Sequence, residues 1–224
     1  MGADYLQAAY ICRMFELINV EPKPLAGQTT DSKVWNRKVA LGSDQQYLVR
    51  APSGKGKSTF LHLLYGLRHD YTGEIRFDGR PTQAFSPDDW ADLRREKVSM
   101  LFQDLRLFPH LTAWENLLLK NRLTDFFSEE KLRENADRLG MTPFLSQKAE
   151  TLSYGQRQRI AIVRALSQPF RFLLLDEPFS HLDTENARLA KELIDEQVRA
   201  QGASLVVASL GEDYGWDFNH FLEL

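Results

Sequence analysis

The segment Phe172-Leu173-Leu174-Leu175-Asp176-Glu177-Pro178 constrains the fold more than any other stretch of this chain. Its unbroken apolar run leaves no polar face, so it reads as a short strand covered on both sides. The two acids that follow would emerge where that strand reaches the edge of its sheet. Two solvated acids at an ordinary strand end would not need so apolar a strand to carry them.

A second signal lies upstream in Ala51-Pro52-Ser53-Gly54-Lys55-Gly56-Lys57-Ser58, with Thr59 following. Gln46 to Arg50 reads as a strand and Gly56 to Leu67 as a helix, so the glycines join strand to helix, as a phosphate loop requires. Gly54 and Gly56 let backbone N–H groups turn toward a phosphate with no side chain between. Lys57 would neutralise β- and γ-phosphates, the Ser58 hydroxyl would hold Mg²⁺, and the helix adds its positive dipole end. Ala51 stands where the strict pattern has glycine. The plain alternative, a strand–helix turn with a chance lysine, does not account for the acids of the Phe172 strand.

The remaining chain frames these motifs. Met14 to Val20 reads as a first strand and Glu21 to Ser32, rich in Pro, Gly and Thr, as a loop. Gly73 to Phe77 is a strand entering the Asp78-Gly79 turn. Ser86-Pro87-Asp88-Asp89 opens a helix, Val98 to Phe102 forms a strand ending at Gln103, and Thr112-Ala113-Trp114-Glu115 has capping-box spacing. A further helix runs from Ser128 to about Gly140. Ser153-Tyr154-Gly155-Gln156 precedes a helical pattern, and a serine hydroxyl with free N–H groups at a helix start makes an anion site. Asp183 to Ala200 is a long helix, Ala203 to Ala208 a strand, and Phe221 to Leu224 a final short one. Strand and helix alternate at both flanks of a helix-rich middle, which implies a parallel α/β core with a helical insertion.

Composition excludes several classes. At 224 residues the chain suits one well-buried domain with a modest accessory lobe. A net charge of -3 argues against nucleic-acid binding by bulk electrostatics. Arg157, Arg159 and Arg164 alternate with apolar positions and read as a solvated helix face. The single cysteine, Cys12, has no intramolecular partner, so a reducing compartment is expected, with Cys12 as a packing residue. No apolar run approaches the roughly 20 residues of a membrane span, and the start lacks the pattern of a signal peptide.

In this order, the phosphate loop, Gln103, the Leu152-Ser153-Tyr154-Gly155-Gln156 segment, the Asp176-Glu177 pair and Ser180-His181-Leu182-Asp183 resemble the ATP-binding subunit of ABC transporters. The resemblance implies an α/β fold: a P-loop NTPase core of mostly parallel sheet, a small antiparallel β region and an inserted helical lobe. Residues 1–224 would be one domain, with the core at about 1–85 and 156–224 and the lobe at about 86–155. It implies ATP and Mg²⁺ as ligands, Asp176 reaching Mg²⁺ through water, Glu177 as general base, and Gln103 sensing metal and γ-phosphate. Ser153, Gly155 and Gln156 would face the ATP of a second subunit, in a dimer expected to be of identical chains, and Ser180 to Asp183 would carry communication across it. Tyr154 replaces a glycine of the family pattern, so its side chain must point away from that phosphate.

The family also places a histidine after the strand that follows the long helix, where Ser209 aligns here, and none of the five histidines obviously replaces it. An adenine-stacking aromatic is not assignable, since Phe15, Trp35 and Tyr47 read as core. Phe102 to His110 is similar to the lipoprotein-release, MacB and FtsE-type subgroup, in which a groove beside the glutamine receives a helix of a membrane subunit. Leu105, Leu107 and Phe108 are candidates to line it, or else to pack the lobe. The function implied is an ATPase that drives a separate integral-membrane permease from the cytoplasmic face. The alternative is an ATP-gated dimerising switch with little hydrolysis.

Overall fold

The computed structural model describes residues 13–27, 29, 31–52, 54–210 and 213–224; Cys12 and Ser53, singled out above, lie outside them. The chain opens with β1 (Arg13–Pro22) and β2 (Lys38–Gly42), then β3 (Gln46–Arg50) leads into α1 (Lys57–Leu64). β4 (Tyr71–Phe77) and the short β5 (Arg80–Pro81) precede α2 (Pro87–Glu96) and β6 (Val98–Leu101). Three helices follow, α3 (Ala113–Asn121), α4 (Glu129–Arg138) and α5 (Tyr154–Leu166). The chain then returns through β7 (Phe172–Asp176), α6 (Thr184–Ala200), β8 (Ser204–Ser209) and β9 (His220–Glu223).

Two sheets result. One is antiparallel, in the order β2-β1-β4-β5, and the other has five parallel strands in the order β6-β7-β8-β3-β9. β7 lies inside the parallel sheet, and all five of its residues are buried. Its side chains alternate between two cores: Leu173 and Leu175 join Ile160, Val163, Leu193 and Ile194 of the α5 and α6 side. Phe172 and Leu174 face Phe15, Phe60, Leu64 and Ile75, which belong to α1 and the antiparallel sheet. This two-sided cover is why the segment could be read as a continuous apolar run.

Local chemistry sets the helix starts. Ser86, Thr112 and Ser153 each accept the N–H three residues on, and Asp89, Glu115 and Gln156 return the bond to the cap's own N–H. These reciprocal caps satisfy donors that the first helical turn leaves open. β1 runs two residues past the Val20 expected from sequence, because Glu21 and Pro22 pair with Thr72 and Tyr71 of β4 beyond a register shift. β2 and β5 were not foreseen; both are pairing partners whose strand state comes from β1 and β4.

Phe172 is fully buried and meets Phe15 edge-on at 5.1 Å between ring centroids, which ties β7 to the antiparallel sheet. Phe172→Ala is therefore expected to cost about 3–5 kcal/mol, read as a lower urea midpoint with an unchanged slope in equilibrium unfolding.

Candidate functional site

Parallel register sets the ends of four strands level. Leu101 lies opposite Leu175, Asp176 opposite Ala208, and Ser209 opposite Arg50. Gln103, Glu177, Leu210 and the loop from Ala51 follow those ends, so segments distant in sequence open onto one edge. Ligands of α/β sheets bind in the crevice outside the carboxyl ends of the strands. A cavity of about 320 Å³ lies there, lined by Gly54, Gly56, Lys57, Ser58, Thr59, Gln103, Asp176 and Glu177, together with Ser180, His181 and Leu210.

Backbone geometry forms the loop. Gly54 and Gly56 have φ of 77° and 99°, a region that suits glycine. A Cβ on Gly56 would also lie 2.6 Å from Leu25 Cδ1. Gly56 caps α1, whose first-turn N–H groups and dipole favour an anion. The buried Lys57 donates Nζ–H to the Ala51 carbonyl at 2.9 Å and lies 3.9 Å from Glu177 Oε1. The main-chain oxygen of Ala51 is what holds the lysine, so an alanine serves there as a glycine would. Lys55 lies outside the cavity and lines a separate groove with Trp35 and Pro52.

The acids differ in their surroundings. Asp176 is 2 % exposed, and its Oδ1 has no hydrogen-bond partner. Burial pushes its carboxyl pKa up, against the opposing pull of the Ser58 hydroxyl and the Lys57 charge. Ser58, Asp176 and Gln103 offer oxygen donors to one cavity, the donor chemistry of a hard divalent cation, and the orphaned Oδ1 fits one. Among the described residues no cluster of three His, Cys, Asp or Glu could hold a metal by itself. A cation here would keep mostly water and ligand oxygens, as Mg²⁺ does.

Glu177 is fixed through its backbone, which takes a left-handed φ of 50°. Its N–H donates to Ala208 O at 3.0 Å, extending the β7–β8 ladder by one bond. Its carbonyl accepts from Gln158 Nε2 at 3.3 Å, and its Oε2 accepts from the Tyr214 hydroxyl at 3.4 Å. Gln158 also donates to Pro178 O at 2.8 Å and accepts the N–H of His181 at 3.2 Å. Neither Gln158 nor Tyr214 stood out in the sequence. Gln158 has a signal in hindsight, a glutamine on the inner face of a helix otherwise buried by apolar residues.

Ser153, Gly155 and Gln156 do not line this cavity. Ser153 and Gln156 close the cap of α5, and a Cβ on Gly155 would stand 3.0 Å from His181 O. The Tyr154 side chain folds back toward its own chain, its hydroxyl donating to Gln103 O at 2.8 Å. One alignment needs correction. Ser209 is the last residue of β8 and fully buried; the residue on the cavity wall is Leu210, 66 % exposed. The expected strand stopped one residue short, and a one-residue shift turns a side chain to the other face of its sheet. Phe15, Trp35 and Tyr47 are buried core residues, as expected.

A second cavity, of about 360 Å³, opens between the sheet edge and α3. Leu105 is buried and Leu107 packs against the helical core, so of the three candidates only Phe108 lines it, joined by Leu119 and Leu123. These three are exposed apolar side chains. Buried Asn116 holds the rim by accepting from Phe108 N at 2.8 Å and donating to Phe108 O at 3.1 Å. The floor is cationic: burial and the neighbouring charges of Arg164 and Arg94 push Lys120 down to about 8. No described helix is long and apolar enough to cross a membrane.

Comparison with known proteins agrees with this geometry. Residues 36–180 match the family described as "ABC transporter". The chain is 31% identical over 211 residues to the lipoprotein-releasing system ATP-binding protein LolD 2 of Rhodopseudomonas palustris, covering 93% of this chain and 88% of that one. It is 32% identical over 177 residues to the macrolide export ATP-binding/permease protein MacB of Bdellovibrio bacteriovorus, covering 79% of this chain but 27% of MacB's length. The dimeric structure of MJ0796, a bacterial ABC transporter cassette, superposes with a TM-score of 0.78 at 28% identity over 94% of both chains. The same protein in a post-hydrolysis dimer bound to ADP and Pi gives 0.76 at 27%.

Because burial raises the Asp176 pKa, its ionised form destabilises the ligand-free fold above the unfolded carboxyl value of about 3.9. Asp176→Asn is expected to raise the melting temperature of the ligand-free protein at pH 7. That gain should vanish as the pH falls below the unfolded value, where the wild-type carboxyl is protonated in both states.

Proposed function

Because the chain belongs to the family of ABC transporter ATP-binding subunits, we propose that it binds Mg-ATP at the β3–α1 loop, dimerises around two nucleotides and hydrolyses them to drive a separate integral-membrane permease. The observation that carries this reading is the gathering of Lys57, Ser58, Gln103, Asp176 and Glu177 with the glycine loop around one cavity. Lys57, whose Nζ donates to Ala51 O and lies 3.9 Å from Glu177 Oε1, turns to the phosphate oxygens when these enter. Ser58 and Asp176 would hold the cation and Gln103 would sense it. Bound Mg²⁺ would supply charge neutralisation on the phosphates. Glu177 orients the attacking water and takes its proton, from a backbone that Ala208 and Gln158 hold still.

As in the family, the capped start of α5, with Ser153, Gly155 and Gln156, faces the nucleotide of a second copy of this chain; these three residues do not line their own cavity. The helices that follow β6 act as the lobe that carries this segment; α2 and β6, within the expected 86–155, belong to the core instead, because β6 pairs in parallel with β7. The apolar groove at Phe108, Leu119 and Leu123 receives a helix of the permease at the cytoplasmic face of the membrane, and its cationic floor favours an acidic side chain on that helix. One observation favours a second reading, an ATP-gated switch with little turnover: Leu210 brings no polar group to the wall where the family carries histidine.

Size-exclusion chromatography of wild type and Glu177→Gln in Mg-ATP separates the two. A dimer that persists in the variant and decays in wild type is expected. Equal persistence in both would replace the motor with the switch, and no dimer in either would remove both. For the groove, Leu123→Asp is expected to leave ATP-dependent dimerisation unchanged while the permease no longer co-purifies; retained permease would remove the docking assignment.

A further inference from the structure

Tyr154, the departure from the family pattern at the start of α5, touches His181 of the segment after β7. Tyr154 opens α5 and His181 follows β7, and their ring centroids are 4.0 Å apart with planes inclined at 42°. Each is held from behind. The Tyr154 hydroxyl donates to Gln103 O at 2.8 Å, the His181 N–H donates to Gln158 Oε1 at 3.2 Å, and His181 Nδ1 lies 2.8 Å from Ser180 Oγ. Gly155, with His181 O 3.0 Å from where its Cβ would stand, allows the close approach of the two segments. The imidazole so held lines the phosphate cavity with Lys57, Ser58, Glu177 and Leu210, and no other imidazole among the described residues does. His62 lines only the adjoining cavity, where burial and the Arg106 charge depress its pKa.

We infer that Tyr154 and His181 form a unit in which Tyr154 positions the ring and His181 donates an N–H to the terminal phosphate of bound ATP. This role rests on the ATPase reading above. A Ser180 hydroxyl that donates to Nδ1 leaves the ring proton on Nε2, available to an oxygen of that phosphate. During hydrolysis the water oxygen bonds to the terminal phosphorus, the bond from that phosphorus to the ADP oxygen breaks, and Glu177 takes the water proton. His181 transfers no proton; its N–H stabilises charge on the phosphoryl oxygens, the usual work of a preorganised donor. Leu210 cannot supply that donor, so hydrolysis by this chain draws it from the segment after β7.

The test uses the full chain, with steady-state ATP hydrolysis and nucleotide binding measured on each variant. His181→Phe keeps an aromatic ring for Tyr154 but removes both ring nitrogens. It is expected to lower kcat by about 10²-fold with ATP affinity unchanged. Adding Leu210→His to His181→Phe restores an imidazole from the other wall and should recover most of the lost rate, which a merely structural brace would not allow. Tyr154→Ala should lower kcat in wild type but cost nothing further in the His181→Phe background, because it acts through the ring. Wild-type kcat in His181→Phe would overturn the inference. So would a double variant that binds ATP without regaining rate, or additive losses for Tyr154 and His181. If wild type binds ATP and dimerises without hydrolysing it, this inference falls and the switch reading stands; if it does not bind ATP, the proposed function itself falls.

Discussion

The dehydration of β7 on both faces is the constraint on which the site depends. Leu173 and Leu175 are buried against the α5 and α6 side, Phe172 and Leu174 against α1 and the antiparallel sheet. A slip that drew the strand back toward its start would carry Glu177 into the apolar core, which helps to hold its register. Its neighbours β6 and β8 are thereby fixed in level, and β8 fixes β3. The position of the loop after β3, and so of Lys57, follows from a strand more than a hundred residues away.

At the edge so made, buried charges stand with few partners from the protein itself. Lys57 is buried with a main-chain carbonyl and a distant carboxylate for company, and Asp176 keeps one oxygen with no hydrogen bond. Burial of this kind costs stability unless it is compensated. The raised Asp176 pKa expresses that cost in the ligand-free state. A polyphosphate with its cation, the ligand proposed here, would give a partner to each of them. The Glu177 main chain is held by its own N–H to Ala208 O and by Gln158 Nε2 on its carbonyl, while its carboxylate meets Tyr214 and Lys57.

Much of the architecture was legible in advance where a local rule and a tertiary need coincide. The reciprocal cap at Thr112, the helix start at Ser153 and the glycines of the phosphate loop are short-range features, and each is found where its spacing placed it. The misses lie where a side chain's direction depends on a neighbour distant in sequence. In sequence Ser209 aligns with the family histidine because strand ends are soft there, and pairing with β3 moves the boundary by one residue. Leu105 and Leu107 were candidates for the groove equally with Phe108; the turn of the chain at positive φ at Leu105 and Arg106, held by Arg164 donating to both carbonyls, decided among them. Tyr154 was expected only to point away from a phosphate. What it points toward, Gln103 and His181, is a contact between three segments.

The sequence by itself determined the α/β class, the phosphate loop, the acids at the end of a buried strand and the identity of the family, because these rest on residue type, order and short spacing. Tertiary structure alone decided that Leu210 faces the cavity, that Gln158 braces the loop after β7, that Phe108 shares its groove with Leu119 and Leu123, and that an imidazole from position 181 stands beside the phosphate loop. The physical reason is the same in each case. Local sequence sets backbone conformation, but the register between strands and the packing of helices set where a side chain ends.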